Sequence, residues 1–231
     1  MSLNHSPAIV TDGLVLCLDA ANQRSYPKTG TTWSDLVGEY DGTLTNGPTF
    51  DAGNGGSIVF DGSNDYGSIT TEDFKFTTSF SVATFVKINS FSPSWLRIVD
   101  YSHFASPRNG WLLGQYSNSN KIEFRLDQIG NGDGSVVTPV LSTGQWYYIV
   151  GVYNSNTNFA QLYQNTDVVD SQNTSGAETY TSVTKLGIAA RLNPFPIEHA
   201  NCNIATIQIY NRALTADEVR RNYEATVGRY T

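Results

Sequence analysis

The chain has 231 residues, of which only 15% are charged, and 14 Lys and Arg stand against 21 Asp and Glu for a net charge of −7. That balance leaves no basic footprint for nucleic-acid phosphates or anionic lipid and favours neutral, hydroxyl-rich ligands. The apolar share of 39%, including 13 Tyr, 11 Phe and 4 Trp, is enough for one sizeable core without disulfide staples, and no apolar run reaches the length of a membrane-spanning helix.

Residues 1–7 lack the basic start and apolar run of a signal peptide and read as an unstructured or cloning-derived lead, with residues 8–231 as one domain. From Gly13 onward, short apolar runs alternate with clusters of Gly, Asn, Asp, Ser and Pro, the pattern of many strands joined by turns. Residues 14–18 form the first expected strand. A long polar loop follows, which Trp33 is expected to pin down. Short strands are predicted over 42–45, 57–60 and 66–70, separated by Asn46-Gly47-Pro48 and by Asp61-Gly62-Ser63-Asn64-Asp65, both with turn chemistry.

Over 80–88, Phe80, Val82, Val86 and Ile88 share one face while Ala83 and Phe85 occupy the other, which marks a central strand. Over 121–126, Ile122, Phe124 and Leu126 alternate with Lys121, Glu123 and Arg125, so one face is expected to meet solvent. The Gly-rich stretch 127–133 reads as a mobile strand connection. Residues 146–153 are again apolar on both faces and pair as a hairpin with 159–163 across an Asn-rich turn. Near the end, Thr215 and Glu218 make a capping box and Leu214 and Val219 a hydrophobic staple, predicting a helix over 216–224 that docks through Val219 and Tyr223. Cys17 and Cys202 lie near opposite ends. They become neighbours only if the first and last strands bring them together, and two free buried thiols are the ordinary alternative.

Three stretches carry a family likeness: Gly56-Ser57-Ile58-Val59-Phe60-Asp61-Gly62-Ser63-Asn64-Asp65-Tyr66; Gln145-Trp146-Tyr147-Tyr148-Ile149-Val150-Gly151-Val152-Tyr153 with Leu162-Tyr163-Gln164-Asn165; and Ile204-Ala205-Thr206-Ile207-Gln208-Ile209-Tyr210-Asn211-Arg212-Ala213-Leu214. They resemble the strand-turn-strand, central hairpin and closing strand of the laminin-G-like branch of the concanavalin A-like lectin and glucanase superfamily. The resemblance implies an all-β, two-sheet antiparallel jelly-roll sandwich with one short C-terminal helix. It also implies a role in binding at a virion, phage tail or bacterial surface, outside the cell, where other virion or surface proteins are further candidate partners. Phe85 departs from the family pattern, which usually has Trp at that position.

Superfamily members that hydrolyse glucans with retention need two carboxylates about 5–5.5 Å apart, supplied on a strand by acids at alternate positions. Glu72 and Asp73 are adjacent, Glu123 and Asp127 are four apart with Arg125 between them, and Asp217 and Glu218 begin the helix, so no enzyme is expected. His5, His103 and His199 accompany neither a nucleophile elbow nor zinc-ligand spacing. Asp61, Asn64 and Asp65 offer hard oxygens for Ca2+, which related domains hold at a sheet edge; the alternative is that they hydrogen-bond their own turn.

A sugar presents an apolar C–H face and a rim of hydroxyls, so its site combines exposed aromatics with fixed polar groups. Two loops qualify: one with Trp95, Tyr101, His103 and Arg108, the other with Arg191, Asn193 and His199. Trp111 and Trp146 are assigned to the core. The expected function is non-enzymatic binding of a glycan or cell-surface polysaccharide through loops at one edge or the concave sheet. The rivals are a structural or protein-interaction domain, and a cryptic glycoside hydrolase, which requires two acids facing each other across a cleft.

Overall fold

The computed structural model describes residues 7–92, 94–104, 108–127, 134–174, 180 and 182–230; the expected mobile connection over 127–133 lies outside them except for Asp127. Among the described residues the strands form two antiparallel eight-stranded sheets. The first runs β14 (Asp167–Asn173), β13 (Phe159–Gln164), β12 (Trp146–Asn154), β7 (Phe80–Ser90), β16 (Asn201–Tyr210), β5 (Ser57–Asp61) and β4 (Thr49–Asp51), and β1 (Leu14–Asp19) also pairs with β16. The second runs β11 (Gly134–Val137), β10 (Ile122–Asp127), β9 (Asn109–Gln115), β8 (Arg97–His103), β15 (Lys185–Ile188), β6 (Tyr66–Thr70), β3 (Gly42–Thr45) and β2 (Thr32–Trp33). This is the two-layer sandwich that the strand pattern and the resemblance implied. As expected, β7 is central, and β12 and β13 form the hairpin.

The core lies between the sheets, where inward positions of the two layers interdigitate. Phe80 of β7 meets Trp111 of β9 at 5.5 Å and Phe124 of β10 at 5.8 Å between ring centroids. Gly151 of β12 faces the Phe124 ring so closely that a Cβ there would collide with it, so the missing side chain of one sheet seats the aromatic of the other. Trp33 is fully buried and holds the long N-terminal loop, as its position suggested.

A helix, α1 (Ala216–Thr226), closes the outer face of the first sheet. Glu218 N–H donates to Thr215 Oγ1 and Thr215 N–H to Glu218 Oε2, completing the capping box, and Arg212 holds the same carboxylate at 2.7 Å. Val219 is buried, and Tyr223 stacks on Phe85 at 6.0 Å, with Tyr148 at 4.7 Å and Tyr230 at 4.5 Å from the same ring. Phe85 thus stands at the centre of the aromatic packing beneath the helix. Among the described residues, no helix is long and apolar enough to cross a membrane.

The first and last strands do pair, but Cys17 stands opposite Gln208 while Cys202 stands opposite Phe60 and Ile88; both thiols are free and buried. Burial pushes the Cys17 thiol up to about 12, helped by the charges of Asp19 and Asp35. Two sequence expectations need correction. Residues 101–103, expected in a loop, end a strand that begins at Arg97, where outward Arg97, Asp100 and Ser102 interrupt an apolar run whose other members face the core. The outward face of β10 does not meet solvent either: Glu123, Arg125 and Asp127 are 2%, 7% and 1% exposed. Arg97 of β8 and Ser135 of β11 approach Glu123, and Arg125 pairs with Glu123 and Asp127.

Candidate functional site

Pleating sends Arg97 and Asp100 of β8 and Glu123, Arg125 and Asp127 of β10 to the outer face of the second sheet, where the 191–199 segment adds Arg191 and Glu198. Arg97 Nε lies 2.7 Å from Glu198 Oε2 and 3.4 Å from Asp100 Oδ2, and Arg191 Nη2 lies 3.5 Å from Glu198 Oε1. Arg125 Nε is 2.8 Å from Asp127 Oδ1 and its Nη1 is 3.7 Å from Glu123 Oε1, while Ser135 Oγ donates to Glu123 Oε2 at 2.7 Å. Gly114 makes room for this floor, since a Cβ there would stand 3.1 Å from the Arg97 guanidinium and 2.7 Å from the Leu96 carbonyl oxygen.

Burial governs the charges. It pushes Asp100 up to about 6 against the pull of Arg97 and two hydrogen bonds from Ser102, and it raises Glu123 against the pull of Arg125. Burial also lowers Arg191, opposed by Glu198 and Asp100.

Around this floor stand aromatic rings. Among the described residues, the large aromatic side chains left exposed are Trp95 (40%), Phe104 (44%), Tyr116 (43%) and Phe195 (57%), and all four lie on the segments that border it. Phe104 is held between two guanidiniums, Arg108 at 4.7 Å and Arg191 at 4.5 Å. Trp95, Tyr116 and Arg108 wall a cleft of about 380 Å³ over Glu123, Arg125 and Ser135. Gln115 anchors the Trp95 loop through its buried amide, which accepts from Ser92 N–H at 3.2 Å and donates to Ser92 O at 2.8 Å.

The structure sorts the sequence candidates. Trp95 and Arg108 meet in the cleft, and Arg191 belongs to the ionic floor. His199 lies beyond Trp95, its Nδ1 3.2 Å from the Asp65 carbonyl oxygen. Asn193 is buried and braces its own loop by donating to Lys185 O at 2.8 Å. His103 ends β8 opposite Asn109 and is not among the residues that line the cleft. Tyr101 is corrected outright. Strand alternation turns it into the core, fully buried, with its hydroxyl donating to Thr71 O at 2.9 Å. Of the aromatics assigned to the core, Trp111 is fully buried, whereas Trp146 is half-buried beside Tyr230. Sequence reasoning missed Tyr116, Glu123, Arg125 and Ser135 as site residues. Mixed charges at alternate positions of 123–127 were the available signal.

One carboxylate oxygen of Asp61 and one of Asp65 bond the backbone of their own turn. Asp61 Oδ1 accepts from Ser63 and Asn64 N–H at 2.7 and 3.4 Å, Asp65 Oδ2 accepts from Asp61 N–H at 3.2 Å, and the Asn64 carbonyl accepts from Asn46 at 2.8 Å. The first of these holds Asp61 below the usual carboxylate range. Among the described residues, no three His, Cys, Asp or Glu side chains are grouped to hold a metal ion. The hydrogen bonds of this turn are the turn-holding role stated as the alternative to Ca2+ for Asp61 and Asp65.

A sandwich of two antiparallel sheets, closed by a helix on one side and bearing loops around a polar floor on the other, defines a concanavalin A-like, lectin-type domain. The chain belongs to the Laminin_G_3 family of the concanavalin A-like lectin/glucanases superfamily, whose profile matches residues 61–220. Comparison with curated protein sequences finds no match. Among solved structures, the binding domain of botulinum neurotoxin serotype D superposes with a TM-score of 0.71 at 16% identity over 94% of this chain and 52% of that one. Trypanosoma rangeli sialidase in complex with 2,3-difluorosialic acid gives 0.71 at 15% over 97% and 34%, and the binding domain of botulinum neurotoxin DC in complex with SialylT gives 0.71 at 15% over 93% and 52%. The chain therefore spans between a third and a half of these proteins, and at such identities the likeness shows the shared fold alone.

Proposed function

We propose that this chain is a non-enzymatic carbohydrate-binding module whose site is the cleft between Trp95, Tyr116 and Arg108. One observation carries the reading: two exposed aromatic rings, Trp95 and Tyr116, share a cleft over a polar floor. Trp95 and Tyr116 offer flat faces to the C–H side of a sugar, and Arg108, Glu123 and Ser135 offer donors and acceptors to its hydroxyls. Structural neighbours solved in complex with SialylT and with sialic acid lend support. A surface setting, on a cell or particle, is part of the same proposal and rests on the family resemblance.

The ionic arrangement argues against hydrolysis. Arg125 sits between Glu123 and Asp127 within ion-pair distance of both, and Arg97 bridges Glu198 and Asp100. A glycosidase instead needs one free carboxylate and one protonated partner flanking the scissile bond. A buried ionic floor is also weak as a stabilising device, since apolar residues of similar volume often do as well, which favours a recognition role for it.

A broad glycan array, read with calcium and with chelator, tests the proposal. Expected are hits that survive chelation and disappear in Trp95→Ala, while the melting temperature of that exposed-site variant stays close to wild type, within roughly 0.5 kcal/mol of stability. No hit above background for the wild type sinks it, and self-association by light scattering would then favour a structural component.

A further inference from the structure

Trp95 walls a second cleft besides the one it shares with Tyr116. On its far side lies a space of about 420 Å³ bounded by Gly62, Ser92, Ser94, Ile197 and His199. A smaller pocket of about 200 Å³, reaching Asp61 and Asn201, shares Gly62, Ser92 and His199 with it. The dividing indole is 40% exposed, yet its loop is fastened on both sides. Besides the Gln115 clamp on Ser92, Gln115 N–H donates to Leu96 O at 2.9 Å and Arg97 N–H to Glu198 O at 3.0 Å. An aromatic face held this way needs little ordering when a ligand arrives.

The second cleft has polar groups of its own. His199 Nδ1 lies 3.2 Å from the Asp65 carbonyl, which can only accept, so Nδ1 carries the proton and Nε2 of the neutral ring is an acceptor. Ser92 and Ser94 bring hydroxyls 3.4 Å apart.

We propose that the two clefts are subsites of one groove divided by Trp95. The ligand is then an oligosaccharide of at least two units lying across the indole, with one unit against Tyr116 and the next against His199 and Ser94. This rests on the glycan-binding reading of the Tyr116 cleft and extends it. The second unit binds intramolecularly once the first is seated, so affinity grows with chain length.

Tryptophan-fluorescence titration supplies the test, with glucose, N-acetylglucosamine and sialic acid as single sugars, against cello- and chito-oligosaccharides of two to four units and sialyllactose. For the sugar type that binds, the oligomer is expected to bind at least about tenfold tighter than the single unit. His199→Ala should bring the oligomer down to the single-unit affinity while changing the single unit by less than about twofold. Ser94→Tyr, an exposed substitution that fills the second cleft, should do the same without threatening the fold. Tyr116→Ala should weaken both probes. Affinity independent of length, or a length gain that survives both His199→Ala and Ser94→Tyr, overturns the two-subsite groove. In that event, single-sugar binding that still depends on Tyr116 leaves the one-cleft reading standing. If neither series binds, both fall.

Discussion

Behind β7 and β12, the outer face of the first sheet is covered by α1 and the turn that follows it, and Phe85, Tyr148, Tyr223 and Tyr230 fill the space with stacked rings. Across the sandwich, the outer face of β8, β9 and β10 is covered by guanidinium and carboxylate groups and by the 191–199 segment. The two faces bury their side chains in different ways. The helix side gains from removing apolar area from water, at roughly 25 cal/mol per Å². The ionic side must offset the desolvation of every charge it contains, which leaves little net stability. One face is closed by apolar stacking while the other stays charged with aromatic rings at its border, and the proposed binding role rests on that contrast.

The contrast can be broken by the two largest changes. Phe85→Ala should cost about 3–5 kcal/mol in chemical denaturation, from lost burial and the cavity left beneath the helix, while oligosaccharide titration stays at wild-type affinity. Arg97→Ala should cost a similar 3–5 kcal/mol, because Glu198, Asp100 and Glu123 lose their shared cation, but Arg97→Met should recover much of that loss. If Arg97→Met is as damaging as Arg97→Ala, the ionic floor contributes stability by itself and the contrast fails.

The two faces should also part company with pH. Asp100, raised by burial from its ordinary 3.8 to about 6, binds its proton more tightly in the folded chain. Its contribution is full below about pH 4 and is lost as pH climbs through 6, a change on the order of 1–3 kcal/mol. Glu218 on the helix side is held down to about 2, chiefly by the Arg212 hydrogen bonds, so its contribution is full above about pH 4.5 and is lost as pH falls toward 2. Urea midpoints measured between pH 4 and 7 should therefore fall with rising pH more steeply in the wild type than in Asp100→Asn. Equal slopes would show that Asp100 is not held as the structure implies.

The smallest effect sharpens the helix side alone. Thr215→Ala removes the side-chain cap from Glu218 N–H and should cost about 1 kcal/mol. Oligosaccharide binding should be unaffected, since the cap and the cleft lie on opposite faces of the sandwich. A loss of binding in that variant would mean that the two faces communicate.

Much of this architecture was legible in the residues. The strands at 42–45 and 66–70 stand where turn chemistry and short apolar runs put them, and Thr215, Glu218, Val219 and Tyr223 specified the helix and its docked face, because capping and amphipathicity are local. Strand β8 escaped because a period-2 reading expects polar outward residues to be wet and apolar runs to be unbroken, and Arg97, Asp100 and Ser102 are buried by partners remote in sequence. Tyr101 was misread for the same reason. A polar-tipped aromatic two residues before a histidine looks like loop chemistry until a neighbouring strand fixes which way it points.

The sequence by itself determined the class of fold, the helix with its cap, and the presence of Trp95 and Arg108 in a stretch fit for recognition. Only the tertiary structure decided that Tyr116, Glu123 and Ser135 join them, that Arg191 is floor and Asn193 a brace, and that His199 lies on the far side of the indole. The physical reason is range. Caps, turns and alternation act within a few residues, whereas a cleft is made where strands distant in sequence are brought side by side, and charge pairing between them is settled only when the sheet has closed.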